Sequence, residues 1–455
     1  MIDTGRLKTF AQEARRTLRD QVSAKLDLVL ASDSTVRRAA LKAVQQLEGE
    51  IARSSRDQVI EKVAYTWFNR FSALRFMDAN GYTGTRVISP ADGQTRPEIL
   101  SEAMAGVIGE EVPQATAAQV RALLDSRTPS TDPQGEAYRL LVVAACNHWH
   151  GAMPFLFEKI ADFTEILMPD DLLSASSVVT KMRAVMTEEA CHDVEIIGWL
   201  YQFYISEKKG EIFAGLKKNK KITPENIPAA TQLFTPHWIV RYLVENSLGR
   251  LWLLNRPASR LREQMDYYIA SEAPEKDFLR ITKPEEIKIC DPACGSGHML
   301  TYAFDLLHAI YEEEGYDAAE IPGLILTCNL YGIEIDDRAG ALAAFALSMK
   351  ARRAQRRFFR NGVMPNICVL ENVEFEAGEL ADYTRAVGAD LFTKDLRETL
   401  TQFTESKNFG SLIRPRLRDV DEVRRVVEAK EFEGNLFLRD VHGRVRRRFC
   451  GWQTI

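Results

Sequence analysis

The hydrophobic pattern of the chain changes character once, near residue 222. Over residues 1–60, apolar positions recur at helical spacing among Arg, Lys, Glu, Gln and Ala, as with Val22, Leu26, Leu28 and Leu30. This predicts helix throughout. VIEKVAYTWFNRFSALRFMDANGY reads as a strongly amphipathic helix stopped at Asn80 and Gly81. Residues 86–136 are looser, punctuated by Pro90, Pro97, Pro113, Pro129 and Pro133. Helical texture returns in YRLLVVAACNHWHGAMPFLFEKI and VEIIGWLYQFYISEKKGEIF. KKNKKITPENIPAATQLFTP then reads as a linker or hinge.

Beyond the linker the pattern alternates. A helix at residues 237–253 precedes a charged stretch, 254–286, with no clear core. Three short strands follow, EIKICD, LYGIEID and ICVLE. They are separated by helices at about His298 to Glu313 and in AGALAAFALSMKARRAQRRFF. Strand, helix, strand, helix, strand predicts a parallel, doubly wound sheet. The expected architecture is α/β: a helical N-terminal domain, residues 1–222, and a partial Rossmann-like parallel-sheet domain, residues 223–455. After the third strand, residues 376–440 predict charged helices, among them DVDEVRRVVEAKEF and Leu436–Val445, and no fourth strand.

Composition narrows the class. With 45% apolar and 27% charged residues, the chain is neither collagen-like, mucin-like nor mostly disordered. A net charge of −5 excludes a uniformly basic coat for nucleic acid but leaves room for a local basic groove. Seven cysteines without a C-x-x-C pair suit a reducing cytoplasm. With no long apolar run and a polar N-terminus, the expectation is a cytoplasmic protein with no membrane partner. Cys146, His148 and His150 would not converge on one metal from a helix, so a packed polar face is the preferred reading. Lys217, Lys218, Lys220 and Lys221, and Arg352, Arg353, Arg356, Arg357 and Arg360, form basic clusters. Each reads first as a solvated face and second as a phosphate contact.

The sharpest feature is Asp291-Pro292-Ala293-Cys294-Gly295-Ser296-Gly297-His298-Met299-Leu300, between a strand and a helix. Gly295 and Gly297 let the backbone turn sharply and approach a ligand, and the helix start offers unpaired N–H groups. The loop is not G-x-G-x-x-G, and it places Asp291 where a pyrophosphate would be repelled. An acid there suits a cationic amine.

DPACGSGHML resembles motif I of the S-adenosylmethionine-dependent DNA adenine-N6 methyltransferases. The helical half and the segment from IGWLYQFYISEKKGEIF to VENSLGRLW narrow the resemblance to the PglX-type methyltransferases of BREX phage-defence systems, over residues 1 to about 440. The resemblance implies a cofactor, S-adenosyl-L-methionine, held by Asp291, Pro292, Ala293, Gly295 and Gly297 of the loop. It assigns Thr235, in Gln232-Leu233-Phe234-Thr235-Pro236, to the methionine carboxylate. Read alone, Thr235-Pro236 is a helix N-cap with Pro first in the helix. In Tyr331-Gly332-Ile333-Glu334-Ile335-Asp336 it assigns Glu334 to two ribose hydroxyls and Ile335 to the adenine face, while Asp336 reads as an N-cap. Glu334 lies 37 positions after Gly297, against about 20 in a compact fingerprint, and GYDAAEIPGLILTCN looks like an insertion filling the gap. Asn372, beside Glu371, stands where the family usually has Asp accepting a bond from the adenine amino group. The plainer reading is a polar strand end.

The family's [D/N/S]-P-P-[Y/F/W] motif, which holds a flipped adenine, has no counterpart: none of the 17 prolines is followed by another. No catalytic residue is therefore assigned. Three strands cannot complete the family's seven-stranded sheet, and the basic end RVRRRFCGWQTI breaks the preceding pattern. The expectation is an N-terminal fragment of a site-specific DNA adenine-N6 methyltransferase, with weak or no cofactor binding and no turnover by itself. Its expected partners are double-stranded DNA, met mostly elsewhere in the longer protein, and other BREX proteins. The alternatives are a catalytically dead product serving as a partner-binding scaffold, and a methyltransferase acting on protein or RNA.

Overall fold

The computed structural model describes residues 3–414 and 425, apart from 160–162, 224–225, 234, 272, 274, 373–377 and 388–392. The DVDEVRRVVEAKEF helix (save Arg425), the Leu436–Val445 helix and the RVRRRFCGWQTI end lie outside the described residues. The chain divides into two units, Met1–Glu211 and Ile212–Ile455, with the division inside the Glu195–Leu216 helix. Among the described residues no helix is long and apolar enough to cross a membrane.

The first unit is helical. Thr4–Leu30 packs its Leu7, Phe10, Leu18, Val22 and Leu26 face inward, with Asp3 capping the helix through the Arg6 N–H. The Arg56–Ala79 helix ends as expected, with Asn80 at the C-cap and Gly81 at φ +64°. Its interior departs from expectation. From Val63 to Asp78 only Thr66 is less than buried, so it is a central helix rather than an amphipathic one. Burial on every side is eased where other segments meet its polar groups. Arg15 makes two bonds to Glu61, of 3.1 and 3.0 Å. Arg75 donates to the Met186 carbonyl and to Ser89.

Among the described residues the second unit holds three parallel strands in the order β1 (Ile289–Asp291), β2 (Leu330–Glu334), β3 (Asn366–Val369). The crossover helices His298–Glu313 and Asp337–Ala354 pack against each other. The three strands progress in one direction across the sheet, so the reversal that defines a doubly wound sheet is not among the described strands. The core gathers around Leu300, Phe304, Leu307 and Ile310.

Two stretches, one read from sequence as charged with no clear core and one as an insertion, contribute to that core. In 254–286, Leu261, Met265 and Ile281 are buried, and Asn255 binds the Leu279 carbonyl and the Ile281 N–H. Within 315–329, Ile321–Leu324 is helical and Ile325–Asn329 forms a π-turn, with Ile321, Ile325 and Leu326 fully buried. Asn329 is buried as well. It donates to the Pro284 and Ile287 carbonyls and accepts from the Tyr311 hydroxyl. The segment read as an insertion thus contributes to the core just ahead of β2. Its polar residues disguised it, because their partners lie some 40 residues away in sequence.

Candidate functional site

β1 and β2 end side by side. Asp291 pairs with Gly332, and Glu334 lies two residues farther along β2. Between β1 and the His298–Glu313 helix the loop turns back over β2. The Cys294 N–H donates to the Ile333 carbonyl (3.0 Å) and the Gly297 N–H to the Cys294 carbonyl (2.8 Å). Gly295 and Gly297 have φ of +55° and +89°, which L side chains disfavour. Their surroundings differ. A Cβ on Gly297 would lie 3.1 Å from Ala343, so this glycine also lets the two crossover helices approach. A Cβ on Gly295 would meet nothing within 4 Å, so the outer side of the loop is open to a ligand.

The two acids hold this turn in different ways. Glu334 is 9% exposed and accepts three backbone bonds. Its Oε2 takes the Gly295 N–H at 2.7 Å, and its Oε1 takes Ile335 and Asp336 at 2.9 and 3.0 Å. Burial raises its pKa, and the three N–H groups pull it partly back. A carboxylate has about four acceptor directions, so Glu334 keeps one, on Oε2. The sequence reading expects two ribose bonds. Asp291 is half-buried and takes a single bond, from the Ala293 N–H at 3.1 Å. Burial raises its pKa too, and among the described residues no cation faces it. A half-buried carboxylate with spare acceptor capacity and no counter-charge fits an ammonium group.

The remaining expected residues lie as follows. Pro292 and Ala293 are exposed on the loop. Asp336 caps the Asp337–Ala354 helix through the Arg338 N–H, as read from sequence. Ile335 is half-buried, and a Cβ on Gly410 would stand 3.3 Å from its Cγ2. Asn372 is exposed, and its Oδ1 accepts the Lys407 N–H at 2.9 Å. Thr235 is half-buried ahead of the His237–Val244 helix and forms no hydrogen bond to Asp291 or Glu334 among the described residues. Pro236, at ψ 139°, takes the N-cap position, so the Thr235 cap with Pro first in the helix does not form. Phe234 lies outside the described residues.

Other residues shape the site without having been singled out. A Cβ on Gly332 would meet Ile367, Leu300 and Cys294 at 2.6 to 3.0 Å, so only glycine lets the loop and helix close onto β2. A glycine inside a strand is the signal that marks such an approach. Glu245, fully buried in the π-turn Glu245–Gly249, accepts from Arg241 (3.1 Å), the Tyr302 hydroxyl (2.6 Å) and the Tyr267 N–H (2.6 Å). It ties the helix that follows Thr235 to the helix that follows the glycine loop. Tyr302 has its pKa pushed up to about 12 by burial and by the bond to Glu245. Beyond its i,i+4 pairing with Arg241, no sequence signal marks Glu245, because its other partners, Tyr267 and Tyr302, come from two separate segments.

A family model for the MmeI DNA-methyltransferase domain matches residues 273–367. That span contains β1, the glycine loop and β2, and stops short of Asn372. The chain is 39% identical over 465 aligned positions to the adenine-specific methyltransferase BrxX of Escherichia coli O9:H4 (strain HS). It is 35% identical over 466 positions to the adenine-specific methyltransferase PglX of Lacticaseibacillus casei (strain Zhang). The chain is homologous to BrxX and PglX. Each alignment covers 90% of this chain and 38% of the relative, so the chain spans less than two-fifths of the length of these curated relatives. The homology takes in the helical unit as well as the sheet, whereas the domain model covers only the sheet's first two crossovers.

Proposed function

We propose that the sheet unit binds S-adenosylmethionine, and that the protein acts with it as a BREX-type, site-specific methyltransferase on adenine N6 of duplex DNA. One observation carries the reading. Asp291 and Glu334 stand at the ends of neighbouring strands on either side of an open, glycine-hinged loop that Glu334 itself holds in place. In this role Asp291 takes the amino group of the methionine part. Glu334 takes one ribose hydroxyl on its remaining Oε2 direction, and the loop backbone lies along the ligand. When bound, the cofactor supplies an electrophilic methyl group. Proximity and orientation then carry the rate.

The substrate class is supported by what the relatives and the matched domain are called, adenine-specific and DNA-methyltransferase. None of the described residues is assigned to the target base, since the 455 residues contain no Pro-Pro pair. Calorimetry with S-adenosylhomocysteine tests the cofactor reading. Where the sequence reading expects weak binding or none, the assembled loop and two acids lead us to expect measurable binding, and Asp291→Ala should weaken it about ten- to a hundredfold, the worth of a charge-assisted bond. Affinity unchanged by Asp291→Ala would remove Asp291 from the site. Transfer of labelled methyl to unmethylated DNA, measured on the protein at the relatives' full length, tests the reaction.

A further inference from the structure

We infer that the turn at residues 356–360 is a second nucleic-acid contact, which holds duplex DNA by its phosphates whatever the sequence and whether or not cofactor is bound. The choice of DNA as the duplex rests on the function proposed above; the charge and geometry of the turn do not. Between Arg338 and Leu370 the chain has seven arginines and lysines and no acid, in a molecule of net charge −5. Lys350 is paired with Asp305 at 2.6 Å. Arg352 and Arg353 stand in the last turn of the Asp337–Ala354 helix, where cations complement the carbonyl end. Arg356, Arg357 and Arg360 lie beyond that helix. All three are exposed, and among the described residues no acid or carbonyl meets their side chains. Exposed arginines elsewhere do meet acids: Arg53 reaches Glu50 at 2.9 Å and Arg56 reaches Asp27 at 2.7 Å.

The turn is fixed from beneath. Phe358 is fully buried in the core of the sheet unit, and Phe359 packs against that core. Asn366, first in β3, donates to the Leu326 carbonyl at 2.8 Å, just ahead of β2. The Asp337–Ala354 helix starts past the carboxyl end of β2 and returns the chain to the start of β3. The arginines therefore lie at the amino edge of the sheet, away from Asp291 and Glu334. The side chains beside them narrow the partner. Apart from Met364, 42% exposed, residues 356–365 show no large apolar side chain to solvent. A protein interface needs an apolar core, and a single strand needs rings to stack on. Neither is offered here. Three cations without acids, on a fixed turn, suit the phosphates of a duplex, which carries one charge per about 1.7 Å of axis.

Fluorescence anisotropy of the chain with a labelled duplex of random sequence, without cofactor and over about 50 to 200 mM salt, tests this. Replacing Arg356, Arg357 and Arg360 together by Gln should flatten the slope of log affinity against log salt by about 2–3, roughly 0.9 per phosphate contact. Affinity at about 100 mM salt should fall about tenfold or more. Replacing the same three by Lys keeps the charge and should leave the slope within about 1 of the parent. Replacing Lys217, Lys218 and Lys220 by Gln removes equal charge from another basic cluster and should also shift it by less than about 1. All these side chains are exposed, so the variants should keep the fold. An unchanged slope in the arginine-to-Gln variant overturns the inference, as does a parent chain that does not bind the duplex. Equal flattening by the lysine variant would make the binding diffuse and overturns it too. Polyglutamate that competes as well as unlabelled duplex would assign the turn to an acidic protein instead. Because no cofactor is present, failure of S-adenosylhomocysteine to bind, or of methyl transfer, removes the proposed function and leaves this contact standing.

Discussion

Asp78 in the helical unit and Asp291 in the sheet unit are both acids whose pKa burial raises, yet they are built for opposite ends. Asp78 is 3% exposed and has all its capacity filled. It accepts the Val87, Ile88 and Ser89 N–H groups at 3.0, 2.7 and 2.8 Å and the Thr83 hydroxyl at 2.9 Å. It replaces the backbone partners that residues 87–89 would otherwise lack, and leaves nothing for a ligand. Asp291 keeps one bond and spare lone pairs beside an open loop. Glu334 stands between them, with three bonds made and one direction left. A raised pKa alone does not separate the two acids; the count of filled acceptor directions does, and on the proposed function it marks Asp291 as the one left for a ligand.

The contrast breaks most sharply at Asp78. Asp78→Ala strands three backbone donors in the interior and should cost about 3–5 kcal/mol in urea unfolding of the chain. A loss under about 1 kcal/mol would mean that the 87–89 segment finds other partners. Next comes Glu334→Gln, which keeps the shape but loses the charge that three N–H groups face. It should lose about 1–3 kcal/mol of stability together with about tenfold or more in S-adenosylhomocysteine affinity. Unfolding and calorimetry on one sample would show whether the two losses travel together. Asp291→Asn should do the reverse, with stability within about 1 kcal/mol of the parent and the affinity loss retained. A large stability loss there would make Asp291 a second Asp78.

The smallest effect is on pH. Asp291 has its folded pKa above the ordinary 3.8. The folded state therefore holds this proton more tightly than the unfolded chain does. Its contribution to stability is greatest below 3.8 and falls as pH rises through the raised value. Cofactor binding should run the other way and strengthen over the same interval, because an ammonium partner needs the carboxylate ionised. Titrating stability and affinity side by side, with Asp291→Asn as the control, should show opposite slopes that the variant flattens.

Much of the sheet unit was legible because its signals are local. Alternating apolar runs marked all three strands, and the helix after the glycine loop falls at His298–Glu313 as read. Asp336 caps its helix through its own neighbours. The central helix of the first unit was misread, since a pattern of polar and apolar positions cannot show that Arg15 reaches Glu61, or that Met186 and Ser89 reach Arg75. That residues 315–329 enter the core was hidden for the same reason.

The amino-acid order alone determined that a glycine-hinged turn with an acid at its start joins a strand to a helix, because φ preference, capping and periodicity act over a few residues. Only the folded chain decided what each acid and amide can still do. Hydrogen-bond capacity is finite, and the groups that use it up arrive from distant segments: Gly295 at Glu334, residues 87–89 at Asp78, Lys407 at Asn372.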